Sequence, residues 1–184
     1  NEVVKTCREA YENFEYHIVF HAIHNFCVVD MSNFYLDVLK DRLYVEKEDS
    51  TTRRAAQTVI YKILDSLTRL IAPILAFTSE EIWEFMPHSE KHRKESVLFN
   101  GMPEIVENSA QDIAFMEKWN RIHSIRDDVK KALELARSEK IIGSSLDAKL
   151  TLFATNEMYE FLRGIKNLRE IFIVSDFVLE NIEG

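Results

Sequence analysis

Apolar residues recur at steps of three and four along most of the chain, and this spacing constrains the fold more than any other feature. Such a period lines one face of a helix with apolar side chains. From about Val4 to Val29 it predicts one long helix, and from Thr51 it predicts another that Pro73 ends, because proline lacks a backbone donor. With only 4 Gly and 3 Pro in 184 residues, the composition also favours an ordered, helix-rich protein.

Capping residues predict two more helices in the first half of the chain. Asp30 and Ser32 can accept hydrogen bonds from the first turn of a short helix that runs through about Leu43. Thr78, with Glu81 three residues later, has the spacing of a capping box at the start of a further helix.

Residues 88–108 are polar and predict a surface segment, whose apolar island Ser96–Phe99 folds back onto the helices. Ser109, with Asp112 three residues later, predicts the cap of a helix that runs to about Glu139. The apolar positions of this helix predict a continuous buried stripe: Ile113, Phe115, Met116, Trp119, Ile122, Ile125, Val129, Leu133 and Ala136.

The pattern changes near Gly143, which we expect to adopt a positive φ after the long helix. Lys149–Phe153 alternates as a strand does, and Asn156 can cap a short helix to Arg163. Ile171–Ser175 and Phe177–Leu179 predict one or two more strands. The end of the chain is therefore predicted to be a small α+β unit on a helical bundle.

The formal net charge of −8 argues against a uniformly basic nucleic-acid-binding surface. Two basic stretches nevertheless stand out. Ser50–Ser79 contains four cations and one acid, and Lys118–Lys131 contains five cations and two acids, so each has a local charge of +3. Solvated helix faces give the same pattern, so charge alone leaves the two interpretations equal.

The 2 cysteines are too few for a disulfide framework and lack metal-site spacing, which fits a reducing cytosol. His17, His21 and His24 form a row along the first helix, but a third ligand at a diagnostic spacing is missing. No window of about 20 apolar residues predicts a membrane span. We expect a cytoplasmic protein without a membrane partner and, since it begins without Met, a fragment of a longer one.

Lys40–Tyr44 reads Lys-Asp-Arg-Leu-Tyr and ends a helix whose apolar residues face a core. This run resembles a signature of the anticodon-binding helical domain in class I aminoacyl-tRNA synthetases of the isoleucyl type. Ala72–Trp83, Leu133–Ala148 and Leu168–Ser175 are similar to further motifs of the same family, in the same order. The last of these is closer to bacterial isoleucyl enzymes than to valyl ones, so the resemblance covers essentially the whole chain.

The resemblance implies a mostly α fold, a helical bundle with a small C-terminal α+β subdomain. Within it we expect the bundle's first four helices and the surface segment in 1–108, a long closing helix in 109–140 and the tail in 141–184. It also implies that this chain holds no catalytic site, cofactor or metal. The longer parent would ligate an amino acid to tRNA with ATP and Mg, and would carry a zinc module after Gly184.

The implied partners are the anticodon stem-loop of tRNA(Ile) and the remaining domains of the parent. Lys40 and Arg42 would contact phosphates or base edges, and Tyr44 would stack on a base or use its hydroxyl. Four supporting cations are predicted from their charge and position alone, and each could instead be a surface cation or an ion-pair partner. They are Arg53, Arg54, Lys130 and Arg137.

Three alternatives remain open from the sequence. Physical reasoning does not separate a valyl enzyme from an isoleucyl one. A helical scaffold for protein interactions would equally explain the acidic composition. An enzyme acting alone is the weakest of the three, because the sequence shows neither a glycine-rich phosphate loop nor a nucleophile motif.

Overall fold

The computed structural model describes residues 1–183, and most of them are helical. The nine α-helices described there are α1 Glu2–Glu12, α2 Tyr16–Asn25, α3 Leu36–Val38, α4 Lys40–Tyr44, α5 Thr51–Ile71, α6 Ala76–Phe85, α7 Ala110–Ser138, α8 Asn156–Arg163 and α9 Leu168–Phe172. A π-helix, Phe26–Tyr35, joins α2 to α3, and short 3₁₀ turns occupy Val97–Phe99 and Ser145–Asp147. The strands are β1 Lys149–Ala154 and β2 Asp176–Asn181. The predicted class, mostly α with a small α+β part, is confirmed.

The chain forms two compact units, Asn1–Glu107 and Asn108–Gly184. The first contains α1 to α6, and the second contains α7 together with the strands, α8 and α9. The three-part division at residues 108 and 140 stays a prediction. None of the helices within residues 1–183 is both long and apolar enough to cross a membrane.

Two clusters of buried side chains hold the first unit together. One packs α1 and α2 against the C-terminal end of α5, where the Tyr11 hydroxyl also donates to the Leu70 carbonyl at 2.7 Å. Its buried members are Val4, Cys7, Ala10, Val19 and Leu70. The other surrounds Trp83 of α6, and its buried members are Ala72, Trp83, Met86 and Val97. Val97 thus confirms that the apolar island returns to the helices, although Leu98 and Phe99 remain exposed.

The single long helix predicted over Val4–Val29 is wrong. Phe14 has a φ of 59°, and this left-handed residue separates α1 from α2. The Glu15 N–H then donates to the Ala10 carbonyl at 2.8 Å, which closes the end of α1. Periodicity missed the break because the apolar stripe resumes at nearly the same phase on the other side.

Two predicted helix starts are also wrong. Asp30 and Ser32 lie inside the π-helix, where the chain keeps winding and no new helix needs a cap. The helix expected to begin at Thr78 begins at Ala76 with Leu75 as its N-cap, and no side chain caps it. The Ile71 carbonyl accepts from the N–H groups of Ile74 and Leu75, so the turn after α5 leads straight into α6.

The predicted cap of α7 is confirmed. The Asp112 N–H donates to the Ser109 hydroxyl oxygen at 3.2 Å, and the Asp112 carboxylate accepts from the Ser109 N–H at 2.8 Å. The buried stripe is only partly right. Ile122 and Val129 are buried, whereas Ile113, Phe115 and Met116 in the first turns are exposed.

The strands pair in parallel, with Lys149 opposite Asp176 and Ala154 opposite Asn181. A parallel pair needs a crossover, which α8 and α9 supply. The strand predicted at Ile171–Ser175 is wrong, since Leu168–Phe172 is α9 and Ile173 ends it with a φ of 56°. Gly143 does not have a positive φ either. Lys140, directly after α7, takes that conformation with a φ of 58°.

Arg126 of α7 is buried, with 7% of its surface exposed, and its Nε donates to the Ile171 carbonyl of α9 at 3.1 Å. This bond connects α7 to the crossover. A buried guanidinium must be hydrogen-bonded to offset its lost hydration. The contact therefore fixes the position of α9 on α7.

We expect Arg126→Ala to lower the free energy of unfolding by about 2 to 3 kcal/mol, because it removes a charged hydrogen bond and leaves the Ile171 carbonyl without that donor. Denaturant unfolding followed by circular dichroism measures this. Lys130→Ala, at an exposed position of the same helix, is the matched control and should change stability by less than about 0.5 kcal/mol. Equal effects of the two substitutions would contradict the role given to Arg126.

The capping box predicts a specific acid sensitivity. The hydroxyl and backbone N–H of Ser109 donate to Asp112, and this holds the pKa of that carboxyl below its ordinary value. Its contribution is complete above the unfolded-state pKa of about 3.9 and is lost as pH falls through the folded-state value. Thermal unfolding should show Asp112→Asn less stable than wild type at about pH 7, with the difference closing below about pH 4. Glu117→Gln, an exposed carboxylate of the same helix, should follow wild type throughout.

Candidate nucleic-acid interface

The predicted signature Lys40–Tyr44 is the helix α4, positioned by one buried residue. Leu39, directly before it, is 3% exposed and anchors this end of the chain. Tyr44, by contrast, is 82% exposed, so its ring and hydroxyl are accessible to a ligand. An exposed aromatic ring beside cations is a typical surface for stacking an unpaired base.

Lys40 is exposed but not isolated. Its ammonium forms an ion pair with the carboxylate of Asp37, one turn earlier. This hydrogen bond, and the charge of Asp37, raise the pKa of Lys40. The sequence motif selects Lys40 as a phosphate or base-edge contact, but its pairing with Asp37 partly offsets the positive charge that a phosphate would meet.

Glu46 organises the connection between α4 and α5. Its carboxylate accepts hydrogen bonds from the hydroxyls of Ser50 and Thr52, and its carbonyl accepts from Nη1 of Arg53 at 2.9 Å. The Ser50 bond, then the Thr52 bond and the nearby charge of Arg42, lower the pKa of Glu46. Arg53 of α5 thus contacts Glu46 directly, and the charge of Arg42 on α4 acts on the Glu46 carboxylate.

The arginines at the start of α5 differ in accessibility. Arg53 is half-buried and its guanidinium holds the Glu46 carbonyl, so part of its hydrogen-bonding capacity serves the fold. Arg54 is exposed. Both line an open depression of about 770 Å³, whose lining is Glu48, Arg53, Arg54, Gln57, Thr58, Tyr61 and Pro87. The remaining arginine of this basic stretch, Arg69, pairs with Asp65 at 2.5 Å.

The second basic stretch lies on α7 in the second unit, and several of its cations form ion pairs or hydrogen bonds within that unit. Arg126 is buried, and Arg121 pairs with Glu157 at 2.6 Å. Arg137 forms an ion pair with Glu134 at 3.0 Å, although both side chains are largely exposed. Lys130 is exposed on this helix.

Lys40, Arg42 and Tyr44 lie on α4, and Arg53 and Arg54 lie in the first turn of the neighbouring α5, whereas Lys130 and Arg137 lie on α7 in the other unit. Lys40 and Arg54 are exposed, whereas Arg42 and Arg53 are half-buried. Accessible cations with an exposed phenol can contact phosphates and stack on bases, which is binding chemistry. Within residues 1–183, no group of three or more His, Cys, Asp or Glu side chains is placed to hold a metal ion.

Sequence comparison supplies independent information. Residues 1–152 match the family model described as the anticodon-binding domain of tRNA ligase. The chain is 55% identical over 175 residues to an isoleucine–tRNA ligase of Carboxydothermus hydrogenoformans, covering 95% of this chain and 19% of the relative. Identity is 49% over 181 residues to that of Caldanaerobacter subterraneus, covering 98% and 19%.

A third relative, the isoleucine–tRNA ligase of Bacillus mycoides, is 46% identical over 180 residues, covering 97% of this chain and 19% of its own length. The chain therefore spans about a fifth of the length of the curated relatives it matches. The family model covers α1 to α7 and continues into β1. The chain belongs to the family of anticodon-binding domains of tRNA ligases.

Proposed function

We propose that this chain is the part of a longer isoleucine–tRNA ligase that binds the anticodon stem-loop of tRNA(Ile). In that role it positions the tRNA for ATP-dependent aminoacylation by a catalytic domain outside the chain. The observation that carries the proposal is the 46–55% identity to isoleucine–tRNA ligases over nearly the whole chain, tail included. These alignments cover 95 to 98% of the chain, so they extend past residue 152, where the family model ends.

The proposed contacts centre on the junction of α4 and α5. Lys40 and Arg42 meet phosphates or base edges, and Tyr44 stacks on an unpaired base or donates its hydroxyl. The exposure of Tyr44 and Arg54 supports this assignment. The supporting cations that we propose are Arg53, Arg54, Lys130 and Arg137.

The proposal also assigns functions to the regions of the longer protein that lie outside this chain. ATP, Mg and a zinc module belong to regions outside this chain, and those regions are its covalent partners. We place the protein in the cytoplasm, where tRNA is charged for translation. The division into 1–108, 109–140 and 141–184 is likewise part of the proposal.

A protein-interaction surface is the second candidate, and one observation favours it. Phe77 and Phe85 of α6 are 94% and 81% exposed, which is far more than an apolar ring normally shows. Cover by another protein domain would explain this. An apolar protein contact depends little on salt, whereas binding of phosphates by cations weakens as salt is added. The two functions therefore respond differently to salt.

Lys40→Ala and Arg42→Ala should each weaken binding of tRNA(Ile) by the full-length protein about ten-fold or more, because each removes a charged hydrogen bond. Binding is measured at fixed salt, and the thermal midpoint is measured for each variant. Lys5→Ala, an exposed lysine that pairs with Glu9, is the control and should bind as wild type does. A lowered midpoint with unchanged affinity would show that α4 serves the architecture and that RNA binds elsewhere.

Salt separates the two candidate functions. If phosphates are contacted, the logarithm of the tRNA association constant should fall linearly with the logarithm of salt, by about 0.7 to 0.9 per phosphate. A titration of the full-length protein with tRNA(Ile) from about 50 to 300 mM KCl measures the slope. An apolar interface should change little over this range. A slope near zero would therefore count against the proposed contacts.

A further inference from the structure

Three exposed cations between α6 and α7 belong to neither basic stretch found in the sequence. Lys91, Arg93 and Lys94 face solvent, whereas His92 among them is turned inward. The Nε2 of His92 lies 3.4 Å from a carboxylate oxygen of Asp65 on α5. We call the segment 88–100 the α6–α7 loop. Its inward histidine fixes one side of the loop, so the flanking cations are held on the outside.

The far side of this loop is fixed by Glu80 of α6. The Glu80 carboxylate accepts hydrogen bonds from the Ser96 hydroxyl and, at 3.3 Å, from the Val97 N–H. Val97 itself is 1% exposed and packs against Trp83. The loop is therefore attached to the helices at both ends by buried or hydrogen-bonded groups.

Asn100 then holds the backbone of Arg93. Its side-chain Oδ1 accepts from the Arg93 N–H at 3.0 Å, and its Nδ2 donates to the Arg93 carbonyl at 3.0 Å. The same Nδ2 also donates to the Ser96 carbonyl at 2.9 Å. Arg93 is thus positioned before any ligand binds, which reduces the entropy lost on binding.

The side chain of Arg93 is also oriented. Its guanidinium carbon lies 4.7 Å from the centroid of the exposed Phe99 ring. Arg121 in the second unit has a similar arrangement over Phe161, at 4.4 Å, but its Nη2 donates to Glu157 at 2.6 Å. For Arg93, no carboxylate of residues 1–183 accepts from the guanidinium. Its N–H donors remain available to a ligand.

We propose that Arg93, stacked on Phe99 and flanked by Lys91 and Lys94, binds phosphate groups of the RNA backbone. The planar guanidinium matches two oxygens of one phosphate, while the lysines add charge. The loop carries these three cations against two acids, Glu90 and Glu95, so its local charge is +1 in a protein of net charge −8. The phosphate contact therefore depends on the positioned Arg93 rather than on the summed charge of the loop. This inference rests on the proposed function, because tRNA is the ligand, but it adds a contact separate from α4.

The test uses the full-length protein and a tRNA(Ile) transcript in a KCl series. Arg93→Ala should weaken binding about ten-fold at low salt and make the salt slope shallower by about 0.7 to 0.9, as expected for one lost phosphate contact. Arg93→Lys keeps the charge but loses the planar group, so it should weaken binding less and leave the slope unchanged. Phe99→Leu should weaken binding a few-fold by removing the ring under the guanidinium.

Arg163→Ala is the matched control, because Arg163 is an exposed arginine that pairs with Glu160 at 3.5 Å, and it should bind as wild type does. Thermal midpoints are measured for all variants. Wild-type affinity and slope in a folded Arg93→Ala would overturn the loop site and leave the proposed function standing. Absence of tRNA binding by the wild-type protein would overturn both. If Arg93→Ala does not fold, unchanged affinity in both Arg93→Lys and Phe99→Leu overturns the loop site.

Discussion

A buried carboxylate in the middle of α5 connects this helix to the long segment that follows α6. Asp65 is 8% exposed, and a charge removed from water in this way requires partners. Nη2 of Arg69, one turn later on the same helix, lies 2.5 Å from Oδ2 of Asp65, and Nε2 of His92 lies 3.4 Å from Oδ1. Arg69 also donates to the Gly101 carbonyl at 3.0 Å. The Asp65–Arg69 pair thus connects α5 to two points, His92 and Gly101, of a long segment that has little regular structure of its own.

Sequence patterns predicted the elements whose signals are local. The apolar period and Pro73 gave α5 close to its observed limits, and Ser109 with Asp112 gave the start of α7. The break at Phe14 and the π-helix were missed because both depend on backbone conformations that a periodic stripe does not encode. In Ile171–Ser175, apolar β-branched residues favoured a strand, but Ile171 and Phe172 end α9, and Arg126 of α7 donates to the Ile171 carbonyl.

The candidate site was predictable only in part, for a different physical reason. The sequence shows which positions carry charge, and the signature motif selected Lys40, Arg42 and Tyr44. It does not show which charges the protein itself neutralises. Arg126 and Lys130 are both cations of the basic stretch Lys118–Lys131. Arg126 is buried and donates to the Ile171 carbonyl, whereas Lys130 is exposed. The partner of an arginine is set by tertiary structure, and that also explains why the α6–α7 loop was not recognised.

The parallel pairing of β1 and β2 has a consequence for the order in which the chain folds. The first backbone contact between the strands joins Lys149 to Asp176, so a loop containing two helices must close before the sheet gains any hydrogen bond. During synthesis, β1 leaves the ribosome well before β2 and has an open edge in the meantime. The two buried clusters of the first unit involve only residues up to Met102, which are made earlier. The buried clusters of the first unit can therefore form while β1 still waits for Asp176–Asn181 to be made.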